Sequence, residues 1–221
     1  HIIQGAMRLD DQLLLEFEYI QQMMLWSLFI EHPAHIVQLG LGAGALTKFC
    51  HHHYLAARTT AIELDRAVIA QCRTHFALPP DDQRLSVFAM DAWDYVNDQS
   101  NHSSCDVLQV DLYDAQAIEP TLNSPEFYAA CADCLTANGI MTVNIFCDRE
   151  NHSHNIEAIE RSFSAVAWLP EVHDSNVVAV AFKQPPSIDF EQLYIRAEKI
   201  EHQLTLPARS WVDGLMLWMR G

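Results

Sequence analysis

Five groups of residues in this chain can do chemistry, and four of them are acids placed where apolar runs end. Glu63 follows Thr59-Thr60-Ala61-Ile62, Asp91 sits beside Ala92 after Leu85-Ser86-Val87-Phe88-Ala89, and Asp111 and Asp114 stand three apart after Val107-Leu108-Gln109-Val110. Carboxylates can hold a cation, accept hydroxyl protons or act as a base. The fifth group is Gly40, Gly42 and Gly44, at alternate positions after Ile36-Val37-Gln38-Leu39 and before Ala45-Leu46-Thr47-Lys48-Phe49-Cys50. Glycines in such a turn let the backbone approach a ligand closely. The amides that open the following helix favour a polar or anionic group. Glu63 lies 19 residues beyond Gly44, a distance that suits an acid accepting both hydroxyls of a ribose. Together these features point to a nucleoside site. Simpler roles stay open for two of the acids: Asp91 can cap a helix over 92–97, and Asp114 can cap a turn in 115–120. Asp111 is harder to explain that way, since it closes a largely apolar strand.

These residues need a sheet to hold them. Hydrophobic spacing predicts a long amphipathic helix over 12–30, then strands at 36–40, 59–63, 85–89, 105–111 and 139–144. Helices are predicted between them over 44–54, 65–76 with Asp65 as cap, 92–97, 125–136 closed by a left-handed cap at Asn138-Gly139, and 151–163. Two late strands near 165–169 and 176–183 read as an antiparallel pair, Pro185-Pro186 ends the sheet, and a last helix covers 188–203. Alternating strands and helices imply a mostly parallel sheet covered on both faces. With the closing hairpin, that is a Rossmann-like class I AdoMet-dependent transferase fold of seven strands. Ligands in open sheets of this kind sit beyond the carboxyl ends of the strands, where the acids are. We read 1–221 as one domain: an N-terminal stub and helix (1–32), a nucleoside-binding core (33–185) and a C-terminal helix and tail (186–221).

Composition narrows the partners. The 221 residues are half apolar and carry a formal net charge of −16. Such a surface repels phosphate backbones, which argues against nucleic acid and anionic membranes, and attracts cations. No apolar run reaches the roughly 20 residues of a membrane span, and none reads as a signal peptide. Six cysteines, mostly in apolar or helical contexts, suggest reduced thiols and a cytoplasmic location. Cys131-x-x-Cys134 has no second pair, and His51-His52-His53 reads as a solvated helix end, so no metal site is expected. The apolar first helix, with Met23, Met24, Trp26 and Phe29, reads as core or dimer packing, or as an interaction surface, and a homodimer is expected. The Trp211–Trp218 tail is left without an assigned place.

The order of these motifs resembles the spermidine synthase family, the polyamine aminopropyltransferases, over most of residues 2–183. Ile2-Ile3-Gln4 and Glu16-Phe17-Glu18-Tyr19-Ile20-Gln21 are similar to that family's Gln and its Asp-Glu-Phe-x-Tyr-His-Glu helix. Gly40-Leu41-Gly42-Ala43-Gly44 matches its Gly-Gly-Gly-Asp-Gly turn, Glu63-Leu64-Asp65 its Glu-Ile-Asp, and Asp91-Ala92 its adenine motif. Asp111-Leu112-Tyr113-Asp114 matches its Asp-x-x-Asp, Glu126-Phe127-Tyr128 its Glu-Phe-Tyr, and the strand 139–144 its Gly-Gly-x-x-x-x-Gln. The resemblance implies decarboxylated S-adenosylmethionine, or S-adenosylmethionine itself, as co-substrate and a small amine as acceptor. It implies Asp111, Asp114 and Tyr19 as catalytic residues. Gln4, Gly40, Leu41, Gly42, Gly44, Glu63, Leu64, Asp91, Ala92 and Asp111 are the implied cofactor-binding residues. Three departures stand out: Ala43 replaces the acid of the glycine turn, Ile20-Gln21 replaces His-Glu, and Ala115 replaces the proline after the Asp-x-x-Asp. Two other readings therefore stand beside aminopropyl transfer: methyl transfer from S-adenosylmethionine, and a non-catalytic nucleoside- or partner-binding role.

Overall fold

Period-two alternation sorts each strand onto two faces. Ile36, Val107, Ile140, Val178 and Val180 pack on one side of the sheet, and Val37, Leu39, Leu108, Val110, Met141 and Val143 on the other. Both faces are therefore buried and both must be covered. A computed structural model describes residues 5–112, 124–146, 149–171 and 176–219, with only the backbone at 146 and 149–152. Gln4, Asp114 and Cys147 lie outside the described residues.

The strands are β1 (His35–Leu39), β2 (Arg58–Glu63), β3 (Leu85–Ala89), β4 (Cys105–Val110), β5 (Leu135–Phe146), β6 (Ala165–Trp168) and β7 (Asn176–Phe182). They form one sheet in the order β3-β2-β1-β4-β5-β7-β6. β1 to β5 run parallel, and β7 pairs antiparallel with both β5 and β6. The helices are α1 (Glu18–Gln22), α2 (Ala45–His53), α3 (Arg66–His75), α4 (Ala92–Asn97), α5 (Pro125–Cys134), α6 (Arg149–Glu160), α7 (Phe190–Leu204) and α8 (Ala208–Trp218). This is the seven-stranded Rossmann-like arrangement that the alternation predicts. Asp65 caps α3 by accepting from Ala67 N–H at 2.7 Å, as expected.

Two predicted elements are corrected. The helix expected over 12–30 is only α1 and a 3-10 turn at Leu25–Leu28. Both Gln109 Nε2 (3.2 Å) and Thr142 Oγ1 (3.0 Å) donate to the Met23 carbonyl, which is thereby turned to the sheet instead of a following helical turn. Met23, Met24, Leu25 and Trp26 are fully buried, so this segment is core on all sides and not an interaction surface. The helix expected to reach 136 stops at Cys134, and Leu135 enters β5 directly in extended backbone. Asn138-Gly139 is strand and not a left-handed cap. The extra residues are taken up by a register shift, since Leu135 pairs with Cys105 and Ile140 already with Val107. The unassigned tail forms α8, which packs on α7 and buries Trp211 in the same core cluster as Trp26.

The glycine turn is where geometry is tightest. Gly40, Gly42 and Gly44 have φ of 87°, 53° and 71°, and Gly44 in the left-handed region opens α2. A Cβ on Gly40 would stand 2.1 Å from the Asp111 carbonyl oxygen. Gly40→Ala is expected to cost about 2–4 kcal/mol from the left-handed backbone and the backbone clash together. Chemical denaturation checks it: a variant within about 0.5 kcal/mol of the parent refutes the close approach.

Candidate active site

Three strands end at one level. Gly40 N–H donates to Ile62 O (2.9 Å), and Asp111 N–H donates to Leu39 O (2.9 Å). The ends of β2, β1 and β4 are thus tied by backbone, and Glu63, the glycine turn and Asp111 come together there. Glu63 faces the turn: its Oε2 accepts from Leu41 N–H at 3.1 Å and its Oε1 from Asp65 N–H at 2.8 Å. Each oxygen keeps a second lone pair for an incoming hydroxyl.

Asp91 and its neighbours lie one strand further out. Asp91 caps α4, accepting from Trp93 N–H at 2.8 Å. The capping role is therefore real, and it leaves the second carboxylate oxygen uncommitted to that bond. Leu64, Phe88, Met90 and Trp93 form exposed apolar surface around this rim, while Ala92 is buried.

A small hollow, open to solvent, is lined by Tyr19, Ile20, Gln38, Leu41, Ala43 and Asp111, with Gly5 and Gly42 among its other walls. Asp111 Oδ1 accepts from Asn144 Nδ2 at 2.9 Å. Burial pushes the Asp111 carboxyl above the usual carboxylate range, and the bond from Asn144 opposes that rise. The floor is Gln38, whose Oε1 accepts from the Thr47 hydroxyl.

Alternating register explains the polar floor. Gln38 pairs with Gln109, and Gln109 with Thr142, on the face covered by α1 and α2. Two residues further along each strand come Gly40, Asp111 and Asn144. Gln109 and Thr142 hold Met23, which sets α1 and hence Tyr19 over the strand ends. The Lys48 ammonium donates to Gln12 O (2.9 Å) and Phe76 O (2.7 Å), fixing the N-terminal segment to the loop after α3. Burial lowers the Lys48 pKa. Gly5 arrives so close to Ala43 that a Cβ on it would lie 2.6 Å from the Ala43 Cβ.

Among the expected site residues the structure therefore brings together Tyr19, Leu41, Gly42 and Asp111 at the hollow, with Gly40 and Glu63 at its rim. Leu64, Asp91 and Ala92 stand outward of them. Sequence reading gave no role to Gln38, Gln109, Thr142 or Asn144. The available signal was a polar residue recurring every second position in strands that are otherwise buried. Among the described residues no group of three or more His, Cys, Asp or Glu can hold a metal.

The spermine/spermidine synthase domain matches residues 16–181. The chain belongs to that family. A polyamine aminopropyltransferase of Chromobacterium violaceum is 31% identical over 215 residues, 96% of this chain and 82% of the relative. Among solved structures, human methyltransferase-like protein 13 in complex with SAH superposes with a TM-score of 0.77 at 19% identity, covering 86% of this chain and 93% of its own. A spermidine synthase in complex with the transition-state analogue AdoDATO gives 0.69 at 20% identity, covering 85% and 67%. These two likenesses establish the fold. In this member of the spermine/spermidine synthase family the glycine turn carries Ala43, packed against Gly5, and the Gln21 amide is spent on Leu15 O at 2.7 Å.

The Met23 carbonyl gives a measurable test of the floor. Gln109→Leu and Thr142→Val each leave one donor on it, and each is expected to cost about 1 kcal/mol. The double variant strands a buried carbonyl and should cost more than the sum of the two. Urea denaturation of the cycle reads this, and strict additivity rules out the shared acceptor.

Proposed function

We propose that this chain transfers the aminopropyl group of decarboxylated S-adenosylmethionine to a small primary amine. The observation that carries the reading is that Asp111 and Tyr19 line one hollow with the glycine turn, while Glu63 grips that turn from β2. In this reading Glu63 accepts the ribose hydroxyls beside Gly40, Leu41, Gly42 and Gly44. Asp91, Ala92 and the apolar rim at Leu64 take the adenine. Gln4 and Asp114 keep the donor-binding and catalytic roles that the resemblance implies. Five described cysteines are buried free thiols, which suits a reducing cytoplasm.

The chemistry follows from charge. The acceptor amine is a cation at neutral pH and must lose a proton before its lone pair can attack. Asp111 and Tyr19 position it, and the Asp111 carboxylate takes the proton. The amine nitrogen bonds to the aminopropyl carbon next to the sulfonium, the carbon–sulfur bond breaks, and its electron pair returns to sulfur. Methylthioadenosine leaves, and a secondary amine is formed. Both substrates are cationic, in keeping with a net charge of −16.

Ala43 favours a second reading. It presents no charge where the resemblance implies an acid for the donor's ammonium, which removes a repulsion against the carboxylate of S-adenosylmethionine. The assay decides between the two: purified chain with putrescine and either sulfonium donor, followed by chromatography of methylthioadenosine and S-adenosylhomocysteine. Methylthioadenosine from the decarboxylated donor is expected. S-adenosylhomocysteine alone establishes methyl transfer instead, and neither product with a panel of amines refutes both. Glu63→Ala should weaken methylthioadenosine binding about 10- to 100-fold in calorimetry, the loss of about 1.5–3 kcal/mol from charged hydrogen bonds.

Asp111→Asn should abolish transfer and leave methylthioadenosine affinity within about twofold. It should also change stability with pH in a definite sense. The folded carboxyl has a raised pKa, so ionising it opposes folding. That penalty is absent below the unfolded pKa, grows as pH rises, and is complete above the folded pKa. Thermal melts should therefore show Asp111→Asn more stable than the parent at pH 7, with the gap closing on acidification through the carboxylate range. A gap that persists at pH 3 contradicts the assignment.

A further inference from the structure

We infer that Asn144 is the positioning residue for Asp111: it occupies one carboxylate oxygen and so presents the other to the acceptor amine. The inference rests on the aminopropyl-transfer reading and adds a residue to it. Asn144 is almost fully buried on β5, opposite Val178 of β7. Its neighbours Val143 and Ile145 face the opposite side of the sheet and fill that core. A buried amide is costly without hydrogen bonds, and a valine or leucine would pack this strand equally well. What the amide supplies is its Nδ2 donor, 2.9 Å from Asp111 Oδ1.

Register makes the pair lateral neighbours. Val110 pairs with Val143, so the next residues, Asp111 and Asn144, lie side by side on the face of the hollow. The Asp111 backbone is held by Leu39 O and by the close approach of Gly40. With the backbone fixed, Asn144 sets the remaining rotation of the carboxylate. Asp111 Oδ2 has no hydrogen-bond partner among the described residues, and Asp111 lines the hollow.

Other ionisable groups do not substitute for Asn144. From α1 comes Tyr19, which lines the same hollow, and from the end of β2 comes Glu63, committed to Leu41 and Asp65 amides. Lys48 of α2 is turned to the Gln12 and Phe76 carbonyls. β5 and β7 present the neutral Asn144 and Val178. The two influences on Asp111 are burial, which favours the neutral acid, and Asn144, which favours the carboxylate.

The test is the pH profile of kcat/KM with decarboxylated S-adenosylmethionine and putrescine. A base must be ionised, so loss of the Asn144 donor should move the acid limb to higher pH. One pH unit of movement reads as a tenfold fall below the limb. Asn144→Leu removes the donor. Asn144→Asp, the same size and shape, replaces it with a second acid and should move the limb further. Asn144→Gln keeps a donor and should hold the limb near its original position while lowering kcat. A uniform fall at every pH, with an unmoved limb in both the Leu and Asp variants, overturns the proposal. A second readout needs no turnover: carbon-13 NMR titration of the Asp111 carboxyl in the ligand-free chain, assigned by the signal missing from Asp111→Asn. An Asp111 titration unchanged in Asn144→Asp overturns the proposal even if the chain transfers nothing. A moved titration with no turnover supports the pair and counts against the aminopropyl reading alone.

Discussion

The closeness of Gly40 to the Asp111 carbonyl is the constraint on which the site depends. With 2.1 Å between that oxygen and any added Cβ, β1 and β4 can meet at this level only through a glycine. Backbone bonds on either side, Gly40 to Ile62 and Asp111 to Leu39, then fix three strand ends relative to one another. Glu63, the turn and Asp111 thus inherit their spacing from the sheet and not from flexible side chains. Groups held this way need little reorganisation when charge moves.

The same sheet also determines what lies above the site. Gln109 and Thr142 sit in a core where unpaired polar groups are costly, and both are satisfied by one carbonyl, that of Met23. This satisfaction interrupts the helix that the local sequence favours. It bends the N-terminal segment so that Tyr19 overhangs the strand ends while Met23, Met24 and Trp26 fill the core. Lys48 pins the segment further upstream. A local preference for helix has yielded to two long-range hydrogen bonds, a trade that secondary-structure periodicity does not reveal.

The sheet order and the glycine turn were legible because they are local: apolar runs, three alternating glycines and acids at run ends each occupy a few consecutive residues. Asp65 as cap of α3 was legible for the same reason. The apolar spacing of 12–30 fits a helix, while what ends it is a donor pair more than 80 residues away in sequence. Asn138-Gly139 misled in a similar way: the pair suits a helix end, but strand pairing with β4 claims it. Asn144 was in plain view in its strand, yet its meaning depends on register with Asp111, which only the assembled sheet supplies.

The choice of an amide beside Asp111 has a consequence for a site proposed to receive cations. A lysine or arginine at position 144 would hold the carboxylate in its charged form more strongly than a neutral donor does. It would also place a positive charge next to the sulfonium and amine of the proposed substrates. An amide stabilises the anion by hydrogen bonding alone and adds no charge to the hollow. Burial keeps the carboxyl's pKa raised against the bond from Asn144, which favours the general-base role proposed for it. Burial of Asp111 and its neutral partner thus act in opposite directions on one carboxyl.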